Sequence, residues 1–346
     1  MMRLPHFRHH TPSSVDEATR ILDGEGSEAM LIAGGTDLLP NMKRRQQVPR
    51  SLIALRGIEA LRTRRNGDGL VLGAGRTLTA LVRDPALRES HPGLWQAAAQ
   101  VATTHLRNMA TLGGNLCLDT RCTYYDQNYE WRKAIDFCMK KDGETCWVAP
   151  ASKRCLAVSS TDTAPALLAL DASVRLVSRR GERELSLDAL YRNDGIDYLT
   201  RRPDEILTEV AIPAGGPRSR STYWKLRRRG SFDFPVLSVA AAGKLSTAGT
   251  VESLRLVLGA VASRPLLCPG AAAALVGRRL TDDAIAEAAQ LAAKLAKPMD
   301  NTDFTLHWRK KMTAEFVGYA LRELRGDEMA STRERIAFHS LEAAGA

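Results

Sequence analysis

Two glycine pairs, each set beside threonine and a polar side chain, restrict this chain more than any other feature. The first, Ala33-Gly34-Gly35-Thr36-Asp37, ends an apolar run at 29–33 that is short enough for a buried strand. The second, Thr111-Leu112-Gly113-Gly114-Asn115, follows a stretch at 94–104 that reads as a helix. Glycine lets a backbone approach a ligand closely because no side chain stands in the way. Successive backbone N–H groups in such a turn form a concave anion site, to which Thr36, Thr111 and Asn115 add polar handles. Either pair alone reads equally well as a plain tight turn; together they fit a pyrophosphate held between two turns. Gly73-Ala74-Gly75 lacks the third glycine of a Rossmann fingerprint, having Leu78 in its place, and the sequence contains no P-loop. A nucleotide site here is therefore of another kind.

The second constraint is cysteine. Five of the six, Cys117, Cys122, Cys138, Cys146 and Cys155, fall between residues 117 and 155, and Cys268 stands apart. In a reducing compartment such a group reads as metal ligands before disulfides. The spacings from Cys122 onward are 16, 8 and 9 residues, which match neither the ferredoxin pattern nor the close pairs of a zinc site. Four thiolates suit either iron–sulfur or zinc. Cys117, next to the second glycine pair, and Cys268 read as small buried apolar residues.

Around these landmarks the pattern is α+β. Ser14 and Glu17 fit a capping box that opens a helix with Val15, Ala18, Ile21 and Leu22 on one face and Gly24 as its stop. Strands are expected at 70–72, 174–177, 207–212, 237–245 and 254–258, and a helix at 164–170. Another helix begins at Thr281, with Asp282 and Asp283 first, Lys294 and Lys297 last, and Pro298 as terminator. Trp308, Met312, Phe316, Tyr319 and Ala320 share a face of a final long helix. Between 119 and 158 periodicity lapses while Tyr124, Tyr125, Tyr129, Trp131 and Trp147 accumulate, as in an inserted loop organised by something other than an apolar core. The expected division is a mixed region at 1–216 with an insert at 119–158, a Gly215-Gly216-Pro217 linker, a sheet-and-helix region at 217–330 and a loose tail at 331–346.

Composition closes off other classes. Aromatics are only 5% of residues, so the core must come from Ala, Leu, Val and Ile. No apolar run approaches the ~20 residues of a membrane helix, and the Met1-Met2-Arg3-Leu4-Pro5 start lacks the apolar stretch of a secretory signal; the expectation is a cytoplasmic protein. The net charge of +10 is spread over short groups such as Lys43-Arg44-Arg45 and Arg227-Arg228-Arg229, without the aromatic interleaving of a nucleic-acid surface. It fits solvated faces and attraction to an anionic cofactor or acidic partner.

The glycine motifs, together with Gly73-Ala74-Gly75, Asp204-Glu205-Ile206-Leu207, Lys225, Asp233-Phe234-Pro235-Val236 and Leu258-Gly259-Ala260-Val261, resemble the FAD-carrying subunits of the xanthine dehydrogenase family of molybdenum hydroxylases. The resemblance implies the FAD-binding fold shared with vanillyl-alcohol oxidase, followed by a C-terminal flavoprotein domain. It implies cofactor contacts at Leu31, Ile32, Ala33, Gly34, Gly35, Thr36 and Asp37, at Thr111, Gly113, Gly114 and Asn115, and at Asp162, with Ile206 against the flavin and Lys225 close by. On residues alone, Ile206 is an ordinary strand residue and Lys225 a surface charge. The insert departs from most of the family and is similar to that of 4-hydroxybenzoyl-CoA reductase. That likeness implies a 4Fe-4S cluster on Cys122, Cys138, Cys146 and Cys155, one thiolate per iron.

By the same resemblance the chain carries electrons and binds no organic substrate. It would take them from a ferredoxin toward a 2Fe-2S small subunit and a molybdenum-cofactor large subunit, in a dimer of heterotrimers. Three alternatives stay open at this point: an oxidative molybdenum hydroxylase with another substrate, a stand-alone flavin oxidase, and a zinc-stapled binding module.

Overall fold

The computed structural model describes residues 3–216 and 218–342, so Pro217 of the expected linker and the last residues of the expected tail lie outside the described residues. The chain begins with a parallel three-stranded sheet in which Ser51–Ala54 lies between Arg8–His10 and Ala29–Ile32. Parallel strands need crossovers, supplied here by the helix Val15–Glu25 between the two outer strands and by Leu38–Lys43 between Ala29–Ile32 and the central one. Ser14 caps it by accepting the Glu17 N–H at 3.1 Å. The return half of the capping box goes one residue upstream of expectation, where the Glu17 carboxylate accepts from the Ser13 N–H and hydroxyl. The helix also runs through Gly24 and stops at Gly26, whose φ of 61° breaks it. Ala29–Ile32 is half-buried along its whole length rather than buried.

A five-stranded antiparallel sheet follows, in the order Arg64–Asn66, Gly69–Gly73, Ile206–Pro213, Ser173–Ser178, Gly181–Ser186. Helices Leu78–Val82, Pro92–Ala99 and Thr163–Ala169 join it in one core built of Leu and Ala, including Leu72, Leu78, Leu94, Leu112 and Leu167. The helix expected at 94–104 is two helices, Pro92–Ala99 and Thr104–Arg107. The break comes where Ala102 adopts φ 42° and Thr103 caps afresh by accepting the Leu106 N–H.

The last third forms an antiparallel sheet ordered Leu266–Leu267, Val251–Gly259, Leu237–Leu245, Ser219–Leu226. It is backed by Asp282–Leu295 and Leu306–Arg325. Thr281 caps the first of these, which ends at Leu295, before Lys297. On the second, Phe316 and Ala320 are buried, while Trp308, at the start of the expected face, is 38% exposed. The expected tail is instead the helix Ala330–Glu342. Arg333 fixes it by lying 3.9 Å over the Trp224 ring and bonding Glu323 at 2.6 Å. Among the described residues no helix is long and apolar enough to cross a membrane.

The irregular segment at 119–158 leaves the fold through a closed neck. Arg121 and Val158 exchange backbone hydrogen bonds at 2.8 and 2.7 Å. Inside, only Tyr129–Ala134 is helical, and Cys122, Tyr125, Cys138, Cys155 and Ala157 form a small core of their own.

Arg309 holds the loops of the C-terminal unit together. Fully buried, it donates to the carbonyls of Val236 at 2.9 Å, Met299 at 2.8 Å and Ala260 at 2.6 Å. Arg309→Met should cost about 3 kcal/mol, since each orphaned buried carbonyl costs at least ~1 kcal/mol. A denaturation midpoint equal to that of the wild type would mean that water takes over all three acceptors.

Candidate functional site

The second glycine motif, through Thr111, Gly113 and Gly114, and Ala74-Gly75 line one cavity of about 320 Å³, which the first motif reaches through Ala33. Much of the demand for glycine comes from turn packing against turn. A Cβ on Gly34 would lie 2.1 Å from the Met109 carbonyl oxygen, and one on Gly113 would lie 2.8 Å from the Ala74 Cβ. Gly35 takes φ 70°, a left-handed value that favours glycine.

The motifs differ in what they offer a ligand. The second is not a loose turn but the helical turn Leu112–Leu116, capped by Thr111, which accepts the Gly114 N–H at 3.1 Å. Its other donors are also spent, Leu112 N–H on the Arg76 carbonyl and Gly113 N–H on the Ala74 carbonyl. In the first motif the N–H groups of Gly34, Gly35 and Thr36 have no backbone partner among the described residues. The concave donor set expected of both therefore belongs to the first, and the second is a wall. Arg56, Arg62 and Arg76 add a basic rim that the motifs do not announce. Arg62 is paired with Glu59, whereas the Arg76 Nε is buried without a partner.

The remaining expected contacts lie behind this cavity. Leu31 and Ile32 belong to the half-buried strand that leads to it. Asp37 is engaged by Arg121 in an ion pair and by the Asn41 amide at 3.1 Å. The Asn115 side-chain oxygen accepts from Thr161 Oγ1 at 2.8 Å, Thr163 Oγ1 at 2.7 Å and the Thr163 N–H at 3.1 Å. This ties the second motif to the helix Thr163–Ala169. Asp162 accepts from the Tyr223 hydroxyl at 2.6 Å and Lys225 Nζ at 3.0 Å, and Lys225 also donates to the Gln100 carbonyl. Burial pushes the Asp162 carboxyl up and the Lys225 ammonium down, each opposed by the other's charge. Lys225 is thus an interior charge, not a surface one. Ile206 is fully buried among Ala18, Leu22 and Ile53, while its neighbour Leu207 faces the cavity. Strand alternation puts the two on opposite faces.

Within the insert, Cys122, Cys138, Cys146 and Cys155 are buried free thiols that line a single small pocket. Burial pushes the Cys122 thiol up to about 12 and that of Cys155 to about 11. A backbone N–H points at one of the sulfurs, from Ala157 to Cys155 at 3.4 Å. Gly195 closes the pocket from outside the insert, and a Cβ there would lie 2.6 Å from the Cys155 sulfur. Nothing in the local sequence marks that glycine. Among the described residues no three His, Cys, Asp or Glu side chains are placed to hold a single metal ion. Cys117 packs outside the insert against the main core, and Cys268 is buried in the C-terminal one.

Arg121 joins the two places. Besides Asp37, it binds Asp126 at 3.0 Å and lies 4.6 Å over the Phe234 ring. Asp126 in turn accepts the Cys122 N–H at 3.3 Å. A continuous polar chain thus runs from the first glycine motif to a cysteine of the pocket.

Known proteins share this architecture. Residues 5–215 match the family described as "FAD binding domain in molybdopterin dehydrogenase", and residues 221–324 match "CO dehydrogenase flavoprotein C-terminal domain". The chain is 28% identical to the carbon monoxide dehydrogenase medium chain of Hydrogenophaga pseudoflava, over 92% of this chain and 96% of that one. To the aldehyde oxidoreductase FAD-binding subunit PaoB of Escherichia coli (strain K12) it is 31% identical, over 77% of this chain and 83% of that one. The solved carbon monoxide dehydrogenase from Hydrogenophaga pseudoflava that lacks the Mo-pyranopterin moiety superposes with a TM-score of 0.77 at 27% identity, covering 93% of this chain and 98% of that one. With most of its length inside one family description, this chain belongs to the FAD-binding subunits of the molybdenum hydroxylases and is part of an oxidoreductase.

Proposed function

We propose that this chain is the electron-transfer flavoprotein subunit of a reductive molybdenum enzyme of the 4-hydroxybenzoyl-CoA reductase type. In this reading it holds FAD and a 4Fe-4S cluster, accepts electrons from a ferredoxin, and delivers them toward 2Fe-2S and molybdenum-cofactor partner subunits. Removal of the phenolic hydroxyl to give benzoyl-CoA takes place on the partner. The assembly is a cytoplasmic dimer of heterotrimers, and the chain divides into a FAD-binding domain at 1–216, the cluster loop at 119–158 and a C-terminal domain at 217–330.

The observation that carries this reading is the convergence of four buried free thiols on one pocket that hydrogen bonds link to the first glycine motif. A zinc ion bound by four thiolates draws them to ~2.3 Å from one point. A cluster with one iron per thiolate keeps the sulfurs farther apart. Four thiols lining one pocket supply the four donors that the second arrangement needs. The backbone N–H directed at Cys155 fits it too, because hydrogen bonds to the sulfurs help set such a cluster's potential.

For FAD, the support is the cavity between the motifs. The Gly34, Gly35 and Thr36 N–H groups would take the diphosphate, with Arg76 as a cationic partner, while Thr111, Gly113 and Gly114 shape the opposite wall. Asp162, Asn115 and Lys225 hold that wall in register. The chemistry supplied by bound FAD is exchange between two-electron and one-electron couples.

A second reading, an oxidative hydroxylase with another substrate, draws on the relatives, whose names carry carbon monoxide and aldehyde. Turnover of aryl-CoA thioesters with reduced ferredoxin by the assembled complex separates the two.

Three outcomes are expected. The purified chain should show flavin absorption with about four iron and four sulfide per chain; flavin with zinc, or with no metal, would sink the cluster and the ferredoxin route. Cys138→Ser should lose the iron and keep the flavin, and undiminished ferredoxin-driven turnover in that variant would remove the pocket from the electron path. Gly34→Ala should displace the first motif from Met109 and weaken FAD retention by tenfold or more, about 1.4 kcal/mol; unchanged FAD content would place the cofactor elsewhere.

A further inference from the structure

One charged side chain in the wall of the cysteine pocket is used by nothing described so far. Lys140 follows Cys138 by two residues in a turn closed by the Lys141 N–H on the Cys138 carbonyl at 2.8 Å. Its side chain is 6% exposed. The ammonium donates to Asp119 Oδ1 at 2.8 Å, Thr120 Oγ1 at 2.8 Å and the Gly195 carbonyl at 2.6 Å. An ammonium has three donors, so all are engaged and the charge is fixed in place. The nitrogen also lies 4.8 Å from the Tyr125 ring centre and 5.5 Å from that of Tyr198.

The pair has a direction. Lys140 lines the pocket and Asp119 does not. The Asp119 carboxylate is turned to Lys140, to the Tyr125 hydroxyl at 3.0 Å and to the Gln47 amide at 3.3 Å. The lysine end of this buried ion pair is therefore the end at the cysteine pocket. Held out of water, such a charge is weakly screened.

We propose that Lys140 sets the reduction potential of an iron–sulfur cluster held by Cys122, Cys138, Cys146 and Cys155, with Asp119 as its counterweight. This rests on the cluster reading above. Gain of one electron adds one negative charge to the cluster, and a fixed cation in the wall favours that more negative state. Lys140 is a positioning charge rather than a ligand.

The test is an anaerobic redox titration of the full chain, followed by electron paramagnetic resonance, with iron and sulfide measured on each sample. Lys140→Met should shift the oxidised-to-reduced ratio about tenfold toward oxidised at a given potential, a midpoint lower by about 59 mV for a one-electron couple. Asp119→Asn, which keeps the cation and removes its counter-charge, should shift the midpoint upward. A residue that merely stapled the insert to Gly195 would change cluster content or stability without opposite shifts. Unmoved midpoints, or shifts of the same sign, in iron-loaded variants would overturn the proposal and leave the cluster reading standing. If Lys140→Met retains no cluster, the direction of the Asp119→Asn shift decides alone. A wild-type chain without iron overturns both.

Discussion

Asp162 and Lys225 form an ion pair with almost no access to water where the two larger parts of the molecule meet, beside Tyr223, Ala240, Ala242 and Val257 of the C-terminal sheet, which enter the main core. Taking two such charges out of water costs several kcal/mol per ion, which is recovered only when each remaining donor and acceptor is met. Here they are met. Tyr223 supplies a second donor to Asp162, and the Gln100 carbonyl a second acceptor to Lys225. Asp162 stands at the head of the helix Thr163–Ala169, while Tyr223 and Lys225 lie on Ser219–Leu226, in the C-terminal sheet. The bond therefore joins the main core to the last third of the chain. Through Thr161, Thr163 and Asn115 it reaches the second glycine motif. The cavity wall is positioned by a network whose far end is in another sheet.

Arg121 does the corresponding work for the first motif, and it belongs to the insert. Asp37 has the look of a ligand contact in the sequence, yet its carboxylate is held by a side chain that lies 84 positions later. The insert is therefore more than an appendage. The Arg121–Val158 neck brings its ends together, so its length adds little to the entropic cost of closing the loop. Gln46, Asn301 and Gly195 then fasten its body from three separate parts of the chain.

What was legible in the sequence followed from local rules. Ser14 and Thr281 cap helices because a hydroxyl at that position meets an orphan N–H, and Leu237–Leu245 reads as a strand because its apolar run is bounded and short. The four cysteines separated from Cys117 and Cys268 on neighbourhood alone, and the structure gathers the same four. What stayed hidden depends on contacts across the fold. The edge strand Gly181–Ser186 shows mostly polar residues because much of it faces water. The helix Ala330–Glu342 is anchored in part by Arg333, a charge that sequence periodicity counts as solvent-facing. Gly195 is an isolated glycine until the sulfur of Cys155 is beside it. Arg76 is one arginine among many until its Nε is found buried at the cavity.

The arginines also change what the net charge means. Within the basic groups that stand out in the sequence, much of the charge is bound internally. Arg227 reaches the Gln100 carbonyl, Arg228 pairs with Asp303 and Arg229 with Asp233. Arg62, Arg64 and Arg65 pair with Glu59, Asp84 and Glu209, and Arg309 is enclosed by carbonyls. A guanidinium with five donors in a plane suits capping carbonyls where loops meet, and a core poor in aromatic rings leaves such junctions to fill. Many of these arginines thus serve as bracing, while the net charge of +10 is unaltered by their pairing with carboxylates. Two basic side chains stand apart from this bracing, Arg76 at the cavity between the glycine motifs and Lys140 at the cysteine pocket.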